Sequence, residues 1–401
     1  MAATIPSAQK PEPLPKRWWL FRPFDLIARH WPVLRPPRGA LIVRIDGIGD
    51  MVLFHGAFAH YADALGVPPA DVTLLGCKSW ASLAPQLFPG CRFRAIDEHR
   101  YDKNPFYRFG VSLWVRRQGF AIATCDIFMR KPLVADSLVY ASGAPRKIVA
   151  KPYQSAKTQR AFDWYLRRCD QVVDTGSYPT HEIIRHFRFV SALAAKTIVP
   201  AMPCLLWPGA AARSNPRPYA VINFGGNEPG RRWEFDRFLA LARDLAARGM
   251  GVVFSGGAAE AALKPRLAQA LRGRDFVDRI GDTSLPALVD LLRGAALVVS
   301  NDTGPAHLAA GLGVPTVVIL GGGHFTSFVP YPATVTPPRV RFVFRERACF
   351  HCFWNCTEPH EKGRAFPCIA SLSEAEVLQA ADAALAAGEG PRGPDQEPRG
   401  L

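Results

Sequence analysis

An α/β chain of two domains is predicted, and three observations predict it. Short apolar runs that read as buried strands alternate with helical stretches through residues 39–387. A proline-rich stretch of little periodicity, Pro200–Pro218, interrupts that series and reads as a linker. At 401 residues the chain is long enough for two separate hydrophobic cores. The expected boundaries are a basic aromatic segment at 1–38, a first domain at 39–200, a second at 201–387, and a disordered Gly/Pro/charged tail at 388–401.

Composition narrows the class without choosing a function. An apolar content of 48% with 21% charged residues fits a globular protein. The net charge of +15 calls for an anionic partner: nucleic acid, an anionic membrane or a phosphorylated substrate. No run of eighteen apolar residues occurs, so no spanning helix is expected. The N-terminus shows no apolar signal core, so no export is expected. Nine cysteines, an odd number, suit a reducing compartment.

Within the first segment Trp18, Trp19, Phe21, Phe24, Ile27 and Trp31 are interleaved with Arg17, Arg22 and Arg29. Such a mixture suits a membrane interface, or packing on the protein's own surface. Pro23 should split the segment into two short pieces.

The first domain opens with Ala40-Leu41-Ile42-Val43, a buried strand running into Arg44-Ile45-Asp46-Gly47-Ile48-Gly49-Asp50 and a helix from about Met51 to Leu65. A glycine-rich strand-to-helix turn invites a dinucleotide reading. Val52 stands where the third glycine belongs, however, and the next strand, Val72–Leu75, ends in Gly76-Cys77-Lys78 rather than an acid. Asp50 can equally be a helix N-terminal acid facing the dipole. Further strands are expected at Phe93–Ile96, Ala121–Cys125 and Lys147–Ala150. His181-Glu182 then opens a helix.

The second domain starts with Tyr219–Phe224, a strand followed by Gly225-Gly226 and Arg231-Arg232-Trp233. Glycines and paired arginines after a strand form a phosphate cradle. A helix (Glu234–Arg248), a strand (Gly251–Ser255), the turn Gly256–Glu260 and a helix at Leu285–Arg293 follow. Glu260 can reach a ribose hydroxyl or simply begin a helix. The most informative stretch is Leu297–Gly323: strand, the tight loop Asn301-Asp302-Thr303-Gly304, helix Ala306–Leu312, a left-handed stop at Gly313, strand Thr316–Leu320 and a glycine triplet. Its loop offers a helix N-terminus, the Thr303 hydroxyl, the Asp302 carboxylate and, one turn in, His307. That set suits a phosphate and its neighbouring sugar hydroxyls.

Near the end, Cys349-x2-Cys352-x3-Cys356 and Cys368 permit a structural zinc site, buried thiols or a disulfide. Ser373–Ala387 reads as a final helix opened by a Ser373/Glu376 capping box.

The run Asp302-Thr303-Gly304-Pro305-Ala306-His307-Leu308-Ala309-Ala310 resembles the D-T-G-x-x-H-x-A-A signature of glycosyltransferase family 9, the ADP-heptose:lipopolysaccharide heptosyltransferase-like enzymes. The resemblance extends to the turn ending in Gly49-Asp50, to the His181-Glu182 segment and to Arg231-Arg232-Trp233, where Arg231 falls on the family's lysine. It implies a GT-B type protein, two Rossmann-like domains facing across a cleft. It implies inverting transfer of a sugar, with a heptose expected, from a nucleotide diphosphate donor to a lipopolysaccharide-type or other glycan acceptor. Asp50 would be the base. Arg231, Glu260, Asp302, Thr303, Gly304 and His307 would bind donor, and Arg44, Asp46 and Gly47 would bind acceptor. No Asp-x-Asp occurs, so no catalytic divalent metal or other cofactor is expected beyond a structural zinc on Cys349, Cys352, Cys356 and Cys368. The implied partners are the donor, a phosphorylated glycolipid or glycan and an anionic membrane surface, with no nucleic acid. The implied place is the cytoplasmic side, peripheral at the inner face of the membrane. Two rivals are an NAD-dependent oxidoreductase and a non-enzymatic protein that binds anionic lipid or nucleic acid.

Overall fold

The computed structural model describes residues 10–208 and 217–387. The expected disordered tail and part of the proline-rich stretch lie outside them. The chain forms two compact units, Met1–Leu206 with Thr326–Phe328, and Trp207–Phe325 with Val329–Leu401.

Each unit holds a six-stranded, wholly parallel sheet. In the first, β1 (Ala40–Arg44), β2 (Val72–Cys77), β3 (Arg92–Ile96), β4 (Ile122–Cys125), β5 (Arg146–Ala150) and β6 (Gln171–Val173) lie in the order β3-β2-β1-β4-β5-β6. In the second, β7 (Tyr219–Asn223), β8 (Gly251–Gly256), β9 (Phe276–Ile280), β10 (Leu297–Asn301), β11 (Thr316–Ile319) and β12 (Val340–Val343) lie in the order β12-β11-β10-β7-β8-β9. Renumbered within its own unit, the second order is also 3-2-1-4-5-6, the doubly wound arrangement in which ligands bind where the strand order reverses. The reversals fall between β1 and β4 and between β7 and β10.

The central strands are buried on both faces, which is why they read as continuous apolar runs. The sequence reading missed the edge strands β6, β9 and β12. In β6 and β9 exposed residues break the run: Gln171 and Val172 face solvent, and β9 alternates half-buried with exposed positions. The helix expected over Met51–Leu65 is two helices, Ile48–Phe58 and Tyr61–Leu65. Gly313 has φ +74°, the left-handed stop expected of it, and the Ser373/Glu376 capping box is formed.

The N-terminal segment departs from expectation. Lys16–Arg29 is one continuous helix with Pro23 inside it. Pro23 removes one helical hydrogen bond but lies on the exposed side, and the inner side is anchored. Trp18, Phe21 and Ala28 are buried in the first unit, and the buried Asp25 forms a two-pronged ion pair with Arg108 (2.8 and 2.7 Å). The anchoring offsets the lost bond. Among the described residues no helix is long and apolar enough to cross a membrane.

Candidate functional site

In the first unit, the loop after β1 and the end of β4 meet at the strand-order reversal. Arg44, at the end of β1, is fully buried. Its guanidinium donates to Asp126 Oδ1 (2.8 Å) and to the Asp50 carbonyl (3.2 Å), pairs with Asp46, and lies 4.4 Å from the centre of the Phe54 ring. Asp126 immediately follows β4, and its other oxygen meets His186 Nδ1 at 2.8 Å. Burial alone would raise the Asp126 pKa, but Arg44 and His186 more than offset it and hold it below the ordinary carboxylate range. Burial also lowers the His186 pKa, against the pull of Asp126.

Glu182 and His186 stand one turn apart on the helix Glu182–Ala194. Burial pushes the Glu182 carboxyl up to about 8, with Arg185 (3.2 Å) pulling the other way. Burial likewise pushes Asp46 up, opposed by Arg44. Asp50 is the third residue of the helix Ile48–Phe58, and its Oδ2 accepts the Gly47 N–H at 3.3 Å. It is only partly buried, so a carboxylate stands at the rim of a buried charge network. Arg44, Asp46, Gly47 and Asp50 thus come together as expected. Asp126 and His186 were missed, because each is a lone polar residue whose role appears only when β4 and the Glu182–Ala194 helix pack beside β1.

In the second unit, the loops after β7 and β10 are tied together by amides. Asn223 donates to Ser300 Oγ (3.1 Å) and Thr303 Oγ1 (3.3 Å). Asn301 donates to the carbonyls of Phe224 (2.9 Å) and Gly225 (3.2 Å) and accepts the Trp233 N–H (3.0 Å). Thr303 is the extended N-cap of the helix Gly304–Gly311, but its side chain does not cap it; the hydroxyl bonds the Asn301 carbonyl instead (3.2 Å). The helix therefore presents an uncapped positive end beside Thr303.

Asp302 lies 3.6 Å from Arg231 and 3.6 Å from His307. Burial would raise its pKa, but His307 and Arg231 win and hold it low. Arg231 also sits 4.3 Å from the centre of the Trp354 ring. His307 is buried, with Nδ1 2.8 Å from the Tyr331 hydroxyl, so it reaches the loop through Asp302 rather than as an exposed ligand. Arg231, Asp302, Thr303, Gly304 and His307 are brought together. Glu260 stands beside them with a different job: it is buried, accepts the Gly257 N–H (2.8 Å) at the start of a short helix, and pairs with Arg232 (3.3 Å). This geometry fits its helix-starting reading. Asn223, Asn301, Tyr331 and Trp354 were missed.

Cys349, Cys352, Cys356 and Cys368 line one small cavity with Trp354, Phe366, Gly322 and Gly323. A Cβ at Gly322 or Gly323 would strike the Phe350 or Trp354 ring, so the triplet is what lets this segment pack. His351, Phe353 and Trp354, around Cys352, all have positive φ. All nine cysteines are free thiols, and among the described residues no His/Cys/Asp/Glu group is arranged to hold a metal ion.

Two doubly wound sheets, each with polar loops at its reversal, define the architecture of GT-B type transferases. The model of glycosyltransferase family 9 (heptosyltransferase) matches residues 177–353. Lipooligosaccharide heptosyltransferase 2 of Haemophilus influenzae is 32% identical over 113 residues, 27% of this chain and 30% of that protein. The chain thus matches under a third of that relative's length. Two solved structures share the fold: a family 9 glycosyltransferase from Veillonella parvula (TM-score 0.69, 15% identity, 88% of this chain and 99% of that one) and Escherichia coli ADP-heptose lipopolysaccharide heptosyltransferase II (0.63, 18%, 88% and 100%). The fold is α/β of the GT-B type, and the resemblance to the heptosyltransferases of family 9 is borne out.

Proposed function

We propose that the protein transfers a sugar, a heptose, from a nucleotide diphosphate donor to a lipopolysaccharide-type or other glycan acceptor, with inversion and without a catalytic metal. The observation that carries this reading is the gathering of Arg231, Asp302, Thr303 and the uncapped Gly304–Gly311 helix end at the strand-order reversal of the second unit. A diphosphate is stabilised there by the helix dipole and by Arg231. The acceptor hydroxyl oxygen attacks the anomeric carbon from the face opposite the diphosphate and gives its proton to Asp50. The anomeric C–O bond breaks, and the nucleoside diphosphate departs with the electron pair. Arg44, Asp46 and Gly47 would orient the acceptor beside Asp50. The heptosyltransferase relatives and the ADP-heptose named with the E. coli structure support heptose and adenine. Calorimetric titration with ADP-heptose, UDP-sugars and NAD tests it: ADP-heptose should bind tightest, and preference for NAD would overturn the reading.

The expected structural metal is kept for the four thiols. They line one cavity, although among the described residues they do not stand arranged around an ion. Four thiolates would suit the expected zinc and would pin this segment to the glycines beside it. Metal analysis of the purified protein checks this; metal-free protein with four titratable thiols, or a disulfide, would refute it. A cytoplasmic enzyme held at the inner face of the membrane suits both the free thiols and a lipid-linked acceptor.

A further inference from the structure

The helix Lys16–Arg29 is apolar on two faces, and among the described residues only one is covered. Its inner face (Trp18, Phe21, Ala28) is buried in the first unit. Its outer face carries Trp19 (67% exposed), Leu20 (54%) and Ile27 (54%). Phe106, 78% exposed, extends this face through Phe24, whose ring lies 6.2 Å from that of Phe106. A helix on a water-facing surface normally turns charge outward, and a contiguous apolar patch marks an interaction surface.

Charge selects the occupant. The only acid on the helix, Asp25, is buried against Arg108, so nothing negative points out from it. Lys16 and Arg17 are exposed at its first turn, and Lys131 is exposed beside the same acid, Asp102, that Arg17 pairs with. Two cations to one carboxylate leave this rim positive, on a chain of net charge +15. Trp18, Phe21 and Arg22 are taken up inside: Arg22 sits 3.4 Å over the Trp164 ring. The outward residues are those that remain for a partner.

We propose that the outer face of this helix, with Phe106, lies in the headgroup boundary of an anionic lipid bilayer. Trp19, Leu20 and Ile27 enter the interface, and Lys16, Arg17 and Lys131 meet lipid phosphates. This rests on the reading of the acceptor as lipid-linked for its purpose, but its test does not use the acceptor. The helix stays folded on the first unit because its anchors are on the opposite side.

The experiment is co-sedimentation of the full chain with phosphatidylglycerol-containing and with purely phosphatidylcholine vesicles, at low and high salt. The comparison is a Trp19→Glu/Ile27→Glu variant, both positions being exposed. The parent should bind the anionic vesicles, the neutral ones far less, with binding weakened by salt. The variant should lose about tenfold or more in partitioning. Unchanged donor binding by calorimetry and an unchanged Tm show that the variant is folded. Equal partitioning of parent and variant, or no preference for anionic lipid, overturns the proposal. So does a parent that is a dimer in sedimentation equilibrium and a variant that is a monomer, which would make the patch an interface between copies. Failure of the glycosyltransferase reading would appear instead as absent ADP-heptose binding with vesicle binding intact.

Discussion

The two sheets have one topology and fill their reversal points in opposite ways. In the first unit the space between β1 and β4 is packed with titratable side chains: Arg44, Asp126 and His186 in a buried line, with Asp46 and Glu182 beside it. In the second, the equivalent space between β7 and β10 is laced with neutral amides and hydroxyls, Asn223, Ser300, Asn301 and Thr303, which hold loops without claiming the helix end. A buried network of charges fixes the setting of a proton acceptor at its rim. A neutral lacing leaves a dipole's positive end available for an anion. On the function proposed above, the same fold would do acid–base work in one half and phosphate recognition in the other.

The largest test of this contrast is Asp50→Asn. The amide keeps an oxygen for the Gly47 N–H, so the helix start survives, but the proton acceptor is gone. Transfer should fall by about 10²- to 10⁴-fold, the usual worth of a general base. Donor affinity, a property of the second unit, should be nearly unchanged by calorimetry. Near-normal turnover by the folded variant would remove Asp50 from the base role.

Asp126→Ala should cost stability rather than affinity. It leaves Arg44 and His186 facing a hole in a buried network, a loss of about 3–5 kcal/mol for breaking one partner of a buried pair. Chemical denaturation checks the size. Because the folded pKa of Asp126 is depressed, its contribution is present above the unfolded carboxylate pKa and is lost as pH falls below it. The gap between parent and variant should therefore narrow in acid. A constant gap would mean that packing, not charge, accounts for it.

These two residues also show what a sequence can and cannot carry. Asp50 was singled out by the resemblance, which rests on a local feature, the strand-to-helix turn ending in Gly49-Asp50. The Asp302–His307 run was legible for the same reason. Asp126 and Asn301 act through partners roughly sixty to eighty residues away, and no spacing advertises that. The central strands were readable because burial on both faces makes them apolar throughout, and edge strands such as β9 were not. Pro23 misled because helix propensity is local, whereas the Asp25–Arg108 pair that offsets it spans 83 positions.

In the second unit, Arg231→Ala and His307→Ala should each weaken donor binding by about 1–3 kcal/mol, for different reasons. Arg231 loses a direct charge. His307 acts through Asp302, so His307→Gln, which can still donate toward Asp302, should recover part of the loss where Arg231→Gln does not. Isothermal titration with donor separates them. Unchanged affinity in both alanine variants would mean that the cradle is elsewhere.

The smallest effect lies in the first unit, and it tests whether that network titrates as a unit of charge should. Glu182 has its folded pKa raised by burial to about 8, above the ordinary value near 4.5. Between those values the folded state holds a proton that the unfolded chain has released. The contribution is therefore fully present below the unfolded pKa and is lost as pH rises through about 8. Glu182→Gln fixes the neutral form. Relative to the variant, the parent should lose stability by about 1 kcal/mol per pH unit between pH 5 and 7, read as diverging denaturation midpoints. Parallel curves for parent and variant across that range would mean that Arg185 keeps the carboxylate ionised in the folded state. The first unit would then hold fixed charges rather than a proton-sharing network. The contrast with the neutral lacing of the second unit would persist in that case.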